Sequence, residues 1–441
     1  MTLRSLIKPL LWVLLLAPLA AQAMKIDTWT TDNGVKVLFV EAHGLPIVDV
    51  RLAFRAGSAR DGQKHGISSL VNGLLVEGSG KLSAEDIALG FESTGSVLGK
   101  GALRDMAWLS LRSLSDPQLR DRTADLFARV AALPSFPQEA IERDRKAMLA
   151  ALAQRRNDIG SVTEDAFFAA LYPEHPYAIG PQGREADLKA ITREDLQVFH
   201  RRYYVANNAI LALVGDLTPA QARDYANALT RYLQPGLAAE ALPPAALPDR
   251  SRSLHVPFKT TQTHVTQGLP VLTRKDPDYF PLYVGNHVLG GSGFSSRLMQ
   301  VIREDRGLVY SVYSYFMPME SNGPFQMALQ TRNDQAAEAT ELMQQQLEAF
   351  IARGPTEQEL EHAKKNITGG FPLKIDSNRK IVEYLAMIGF YDLPLDYLDS
   401  FNERVMAVTA EQIRDAFARR VPTDRLIRVV VGEDIRLGGG D

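Results

Sequence analysis

The chain has 441 residues, a formal net charge of −3 at pH 7 and no cysteine. That excludes a disulfide framework and thiol chemistry, and so mild an acidity gives no electrostatic reason for a nucleic acid or anionic membrane as partner. At this length one hydrophobic core does not suffice, so at least two are expected.

Residues 1–23 read as a secretory signal. Arg4 and Lys8 form a basic start, an apolar run follows from Leu10 to Leu19 broken only by Pro18, and Ala21-Gln22-Ala23 gives a small-x-small cleavage pattern. The run is shorter than the roughly 20 apolar residues that a membrane span needs. Cleavage after Ala23 removes Arg4 and Lys8 and takes the formal charge from −3 to −5. A periplasmic location is expected, with no membrane span once the signal is gone.

Beyond the signal, a first domain is expected over 24–233, a linker over 234–250 and a second domain over 251–441. The alternation Val48-Asp49-Val50-Arg51-Leu52-Ala53-Phe54 predicts a half-buried strand. Residues 65–79, HGISSLVNGLLVEGS, carry the apolar spacing of a helix. His65, Ser69 and Asn72 can share one face of it at i, i+4 and i+7. Hydroxyl and amide groups are poor ligands for a borderline-soft dication, Gly73 offers no side chain, and a lone imidazole makes a weak site. His65 reads as a solvent-facing residue at the helix start. None of the eight histidines forms an i, i+4 pair, and neither H-x-x-E-H nor H-E-x-x-H occurs.

An internal repeat follows. Thr192-x-Glu194-x-Leu196 and Val214-Gly215-Asp216 recur as Thr409-x-Glu411-x-Ile413 and Val431-Gly432-Glu433, with Thr409 and Gly432 each 217 positions after Thr192 and Gly215. Asp195 and Gln412, three residues after each Thr, suit capping boxes at helix starts. The segment from Pro137 to Glu142 has a similar counterpart from Thr356 to Glu361. The offset of 217 shared by a helix start and a strand end, with one of 219 for the third segment, argues for two duplicated domains and not for a solenoid. Between them the Pro- and Ala-rich stretch 234–250 predicts an extended, unpacked linker.

In the second half, residues 289–294 (LGGSGF) match neither G-x-G-x-x-G nor a Walker loop, and read as a turn before a helix over 296–305. Arg303 near the end of that helix could compensate its dipole, and Tyr310, opening an aromatic strand, could pack. Residues 336–350 predict an amphipathic helix. Strands and helices mix without strict alternation, so the fold class is α+β, two like domains, each a mixed or antiparallel sheet flanked by helices.

Residues 66–79 resemble the helix of the insulinase/pitrilysin zinc peptidases, the family that includes the mitochondrial processing peptidase. Members typically read G-L-x-H-x-L-E-H-x-x-F-x-G-[TS] there. Gly66, Ile67, Leu70, Leu74, Gly78 and Ser79 keep the frame, while Ser69, Asn72 and Gly73 stand at the His, Glu and His positions. The further metal-binding Glu of the family falls on Ala151, within the segment from Glu142 to Leu152. Tyr172 to Tyr177 is similar to the family's H-P-Y segment, and Ile191 to Leu196, Asn207-Asn208 and Val214-Gly215-Asp216 to its I-T-x-E-D-L, N-N and V-G-D run. Phe294 to Leu298 with Arg303 to Tyr310 is similar to the half that lacks the metal, where an Arg and a Tyr seven residues apart orient the substrate backbone. An Asn-Ala that the family places on a substrate-pairing edge strand is replaced by Gly99 and Lys100.

The resemblance implies a non-catalytic subunit of a periplasmic metallopeptidase that binds no cofactor itself. Arg303 and Tyr310 would bind substrate across a heterodimer interface, beside zinc and a proton-transferring Glu held by an H-x-x-E-H partner, with an extended peptide between the two. A stand-alone or homodimeric peptide-binding scaffold is the alternative. A hydrolase using one of the serines has no G-x-S-x-G elbow to support it.

Overall fold

The computed structural model describes residues 24–433, so the signal segment lies outside the described residues. Each half is built on one mixed sheet. The first contains β1 (Asp27–Thr30), β2 (Lys36–Glu41), β3 (Ile47–Phe54), β4 (Val97–Ala102), β5 (Ala107–Leu114) and β6 (Ala209–Gly215), in the order β1-β2-β6-β3-β5-β4. The second contains β7 (Arg252–Pro257), β8 (Gln262–Leu272), β9 (Ser311–Phe316), β10 (Gly323–Arg332) and β11 (Ile427–Gly432), in the order β7-β11-β8-β10-β9. Without β1 the two orders are the same. Each sheet also has one parallel pair, β2 with β6 and β7 with β11, among antiparallel neighbours. The duplication seen in the sequence is thus a duplication of topology.

The helices repeat as well. In the first half α1 (Ile67–Leu74) packs against α2 (Gln138–Arg155), α4 (Arg193–Tyr203) and the edge strand β4. In the second, α5 (Tyr279–Asn286) packs against α7 (Glu357–Gly370), α9 (Ala410–Arg420) and the edge strand β9. The capping boxes at Thr192 with Asp195 and Thr409 with Gln412 both form, each satisfying two N–H groups that a helix start leaves free. The predicted amphipathic helix is present as α6 (Ala336–Arg353).

Two further helices cross over. α3 (Ile159–Leu171), from the first half, lies on β11 and β8 of the second sheet, where Phe167, Phe168 and Leu171 share a core with Ile427, Val429 and Val431. α8 (Asn378–Phe390), from the second half, lies on β2, β3 and β6 of the first sheet, and Leu38, Val40, Ala212 and Val214 join the large core of the second half. Each sheet therefore has one face covered by its partner's helix. This explains why β3 is not the half-buried strand expected from its alternation: on the face expected to be wet Asp49 and Ala53 are buried, and Arg51 pairs with Glu383 of α8 at 3.3 Å.

The junction also holds a polar hub. The Asp105 carboxylate accepts from Tyr177 Oη at 2.5 Å, Tyr391 Oη at 2.9 Å and the Glu320 N–H at 2.8 Å. Glu320 in turn meets Arg55 at 3.3 Å and Arg60 at 3.1 Å. Tyr177, in the H-P-Y segment, is thus a structural tie between the halves, and burial together with the neighbouring Asp105 charge pushes its pKa far up. Residues 234–250 contain no helix or strand, but the expected unpacked linker is pinned. Gly236 and Ala239 N–H donate to Asn207 and Asn208 Oδ1, and Ala245 N–H donates to Ser321 Oγ. Side chains here replace the partners that a proline-rich backbone cannot find in a ladder. Among the described residues no helix is long and apolar enough to cross a membrane.

Candidate functional site

α1 begins where Gly66 turns left-handed at φ 99°. A Cβ there would stand 2.7 Å from Leu188 Cδ2, so both backbone and packing call for glycine. Asp61, buried beneath this end, accepts from Gly66 N–H at 2.6 Å and Ser68 N–H at 3.1 Å. Its burial raises the carboxyl pKa to about 7, against the lowering effect of those bonds. His65 is not the solvent-facing residue expected at this position: its Nδ1 lies 2.6 Å from Asp187 Oδ2, and both side chains are largely covered.

Along α1, Ser69 Oγ donates to Pro181 O at 2.6 Å and Asn72 Nδ2 donates to Trp108 O at 3.2 Å. Both polar groups are turned to backbone carbonyls and away from any shared focus. The Gly73 carbonyl accepts from Lys100 Nζ, which reaches across from β4. Beside it Arg143 pairs with Glu77 at 2.6 Å and with Asp144 at 2.9 Å. Ala151 is exposed further along α2. Four of the expected positions therefore carry a hydroxyl, an amide, a hydrogen atom and a methyl group, next to an ammonium and a guanidinium. Among the described residues no three His, Cys, Asp or Glu side chains converge on a point that could hold a metal. This donor set does not fit zinc, which needs nitrogen, sulfur or carboxylate ligands about it.

In the second half α5 runs into a π-wound turn, His287–Gly291. Gly290 there approaches β9 so closely that a Cβ would stand 2.4 Å from Ser314 Oγ. After Gly293, at φ 63°, the chain makes a 3₁₀ turn. The helix expected over 296–305 starts at 297 and is π-wound over Met299–Glu304. Such π segments are rare and recur at functional sites. Arg303 sits on this one with its guanidinium 4.8 Å from the Phe294 ring centroid, and its ionic contact is the adjacent Glu304 at 3.6 Å. Tyr310 precedes β9 and does not open it. Its backbone N–H donates to Gln330 O at 3.0 Å, and 59% of the residue is exposed, against 70% for Phe294. Neither residue packs into a core. No hydrogen bond or ion pair among the described residues joins Arg303 to Tyr310, or either to Ser69, Asn72, Gly73 or Ala151.

Comparison with known proteins shows the family. Residues 36–180 match the family described as Insulinase (Peptidase family M16), and residues 190–367 match the Peptidase M16 inactive domain. A crystal structure of a peptidase M16 inactive domain from Pseudomonas fluorescens superposes with a TM-score of 0.90 at 38% identity, covering 93% of this chain and 98% of that one. The chain belongs to peptidase family M16. The non-peptidase homolog YmxG of Helicobacter pylori is 29% identical over 388 residues, covering 86% of this chain and 88% of that protein. An uncharacterized zinc protease YmxG of Bacillus subtilis is 24% identical over 90% of this chain and 96% of its own length.

Within the family this chain is an inactive peptidase homologue. The α1 frame packs the first core through Ile67, Leu70, Val71 and Leu74, while Ser69 and Asn72 between them bond to backbone carbonyls. Two contacts escaped the sequence reading. Phe294 was legible in a glycine turn and in a family motif but not as the ring beside Arg303, and the Lys100 contact with Gly73 joins segments that pattern and spacing treat separately.

Proposed function

We propose that this M16 homologue is the non-catalytic subunit of a periplasmic insulinase-type metallopeptidase. It binds no metal itself and forms a heterodimer with a zinc-bearing partner that carries H-x-x-E-H. Its contribution to that partner's site is Arg303 and Tyr310. The observation that carries this reading is the contrast between the two constellations: the α1 positions are spent on internal bonds and ion pairs, while half-buried Arg303 lies against the exposed Phe294 ring with the adjacent Glu304 as its ionic contact, and Tyr310 is exposed. A guanidinium so placed can hold a peptide carbonyl by charge-assisted hydrogen bonds, and a phenol hydroxyl can donate to oxygen charge as it develops. Unpaired N–H and C=O groups on the edge strands β4 and β9 suit an extended peptide, which binds by adding a strand.

The test is reconstitution. The purified chain alone should cleave no peptide, and a mixture with an H-x-x-E-H relative should form a one-to-one complex and cleave. Arg303→Ala should then lower kcat of the complex by about 10²-fold, the scale for losing one oxyanion donor, with assembly intact by light scattering. Chelator-sensitive cleavage by the isolated chain, or full activity of the Arg303→Ala complex, would refute the reading. A stable homodimer indifferent to the relative would favour the scaffold alternative.

A further inference from the structure

By the internal repeat, α5 and its π turn stand where α1 stands in the first half, α7 where α2 stands, and β9 where β4 stands. The space between them is the symmetry mate of the degenerate metal position. It is an open cavity of about 530 Å³, within the range of roughly 300–1,000 Å³ found for ligand pockets. Tyr279, Tyr283 and Phe316 form apolar walls, Asn286 lies on one side, and Arg274 and Lys374 bring two positive charges. No Asp or Glu lines it.

Neither cation has an ion-pair partner among the described residues. Lys374 Nζ donates only to Tyr283 Oη, at 3.4 Å. The Arg274 guanidinium lies 5.9 Å from the Tyr279 ring and 5.5 Å from that of Tyr391, and its buried Nε has no hydrogen-bond partner. A buried donor left unpaired is unfavourable, and it marks a place where a partner is missing. A planar guanidinium can take a carboxylate through two parallel N–H···O bonds, and an ammonium lining the same cavity adds a point charge.

We propose that this cavity binds the carboxylate of a peptide, with the residue that bears it lying against Tyr279, Tyr283 and Phe316. The carboxylate can come from a chain terminus or from an acidic side chain. The site belongs to this chain alone, so it stands or falls independently of any role of Arg303 and Tyr310 in a partner's active site.

Calorimetric titration of the isolated full chain decides it. The probes are acetyl-Ala-Ala-Phe with a free carboxylate, the same peptide as its C-terminal amide, and an amide with Glu in place of the second Ala. The free acid should bind, and the neutral amide should bind at least about tenfold more weakly, the loss of one buried charge pair. Arg274→Gln should weaken the acid about tenfold. Lys374→Gln, at an exposed residue where folding is not at stake, should weaken it about threefold. Binding of the Glu-containing amide as tightly as the acid would support the same chemistry from a side chain, and its failure to bind would support recognition of the chain terminus. Equal affinity for acid and neutral amide, or unchanged affinity in Lys374→Gln, would overturn the proposal.

Discussion

The two halves have the same strand order and the same set of helices around corresponding points, yet those points have diverged in opposite directions. In the first, Lys100, Glu77, Arg143 and Asp144 fill the neighbourhood of Gly73 with ion pairs and a hydrogen bond. In the second, Arg274 and Lys374 are left without carboxylates beside an open cavity. What the halves could not do is separate. α3 and α8 are each built by one half and buried by the other, with Asp105 tying Tyr177 to Tyr391 between them. Duplication with exchanged helices lets polar sites drift independently while the cores stay joined.

The strongest way to break this picture is to cut the exchange. Phe168 of α3 is buried under the second sheet, with the Arg104 guanidinium 3.6 Å from its ring centroid. Phe168→Ala should destabilise the protein by about 4 kcal/mol, as for other Phe→Ala changes in cores. Because the cluster around this helix joins residues of both halves, Ala59 and Tyr177 with Ile427, Val429 and Val431, urea unfolding followed by circular dichroism should stay a single transition in wild type and variant. Two separated transitions, each half melting alone, would show the halves to be independent units.

A second contrast sits at equivalent places in the repeat. His200 of α4 and Phe417 of α9 are 217 positions apart, and both are buried. The imidazole donates to Ala131 O at 3.0 Å through Nε2, and burial lowers its pKa to about 4. The folded value lies below the unfolded one of about 6.5, so the neutral ring's contribution is full above pH 6.5 and is lost as pH falls toward 4. Stability should drop by about 3 kcal/mol over that window, at 1.36 kcal/mol per unit. His200→Phe, which copies the second half into the first, should remove most of that slope in urea midpoints measured from pH 7 to pH 4. An unchanged slope would assign the acid sensitivity elsewhere.

The duplication was legible in the sequence because it is carried by local signals: the Thr192/Asp195 and Thr409/Gln412 boxes, and the apolar strands that follow each at one offset. That Ser69, Asn72 and Gly73 stand at the family's His, Glu and His positions was legible for the same reason, since they lie on one helix whose frame is intact. What stayed hidden depends on contacts between distant segments. The alternation of β3 says which residues share a face, and nothing about a helix some 330 residues later covering the polar one. The linker's prolines announce missing donors, not the Asn207, Asn208 and Ser321 side chains that answer them. Arg303 and Tyr310 had an equally good structural explanation in sequence terms, as dipole compensation and strand packing. That Tyr310 is exposed and Arg303 half-buried beside Phe294 is a property of the folded surface, which the sequence does not carry.

The smallest expected effect bears on why the first position closed. Lys100 is exposed and its ammonium makes one hydrogen bond to a carbonyl, so Lys100→Gln should change stability by no more than about 0.5 kcal/mol, the scale of surface charge interactions. Its effect on metal should be larger than its effect on folding. With Ser69→His, Asn72→Glu, Gly73→His and Ala151→Glu introduced together, the donors regain the family pattern, but the ammonium remains beside residue 73. Two unit charges about 4 Å apart interact by about 4 kcal/mol at an effective dielectric near 20, and a dication doubles that repulsion. Elemental analysis should therefore find little zinc in the fourfold variant and close to one equivalent once Lys100→Gln is added. Full occupancy with Lys100 in place would mean that the lysine is a bystander, and that loss of the four donors alone separates this half from its active relatives.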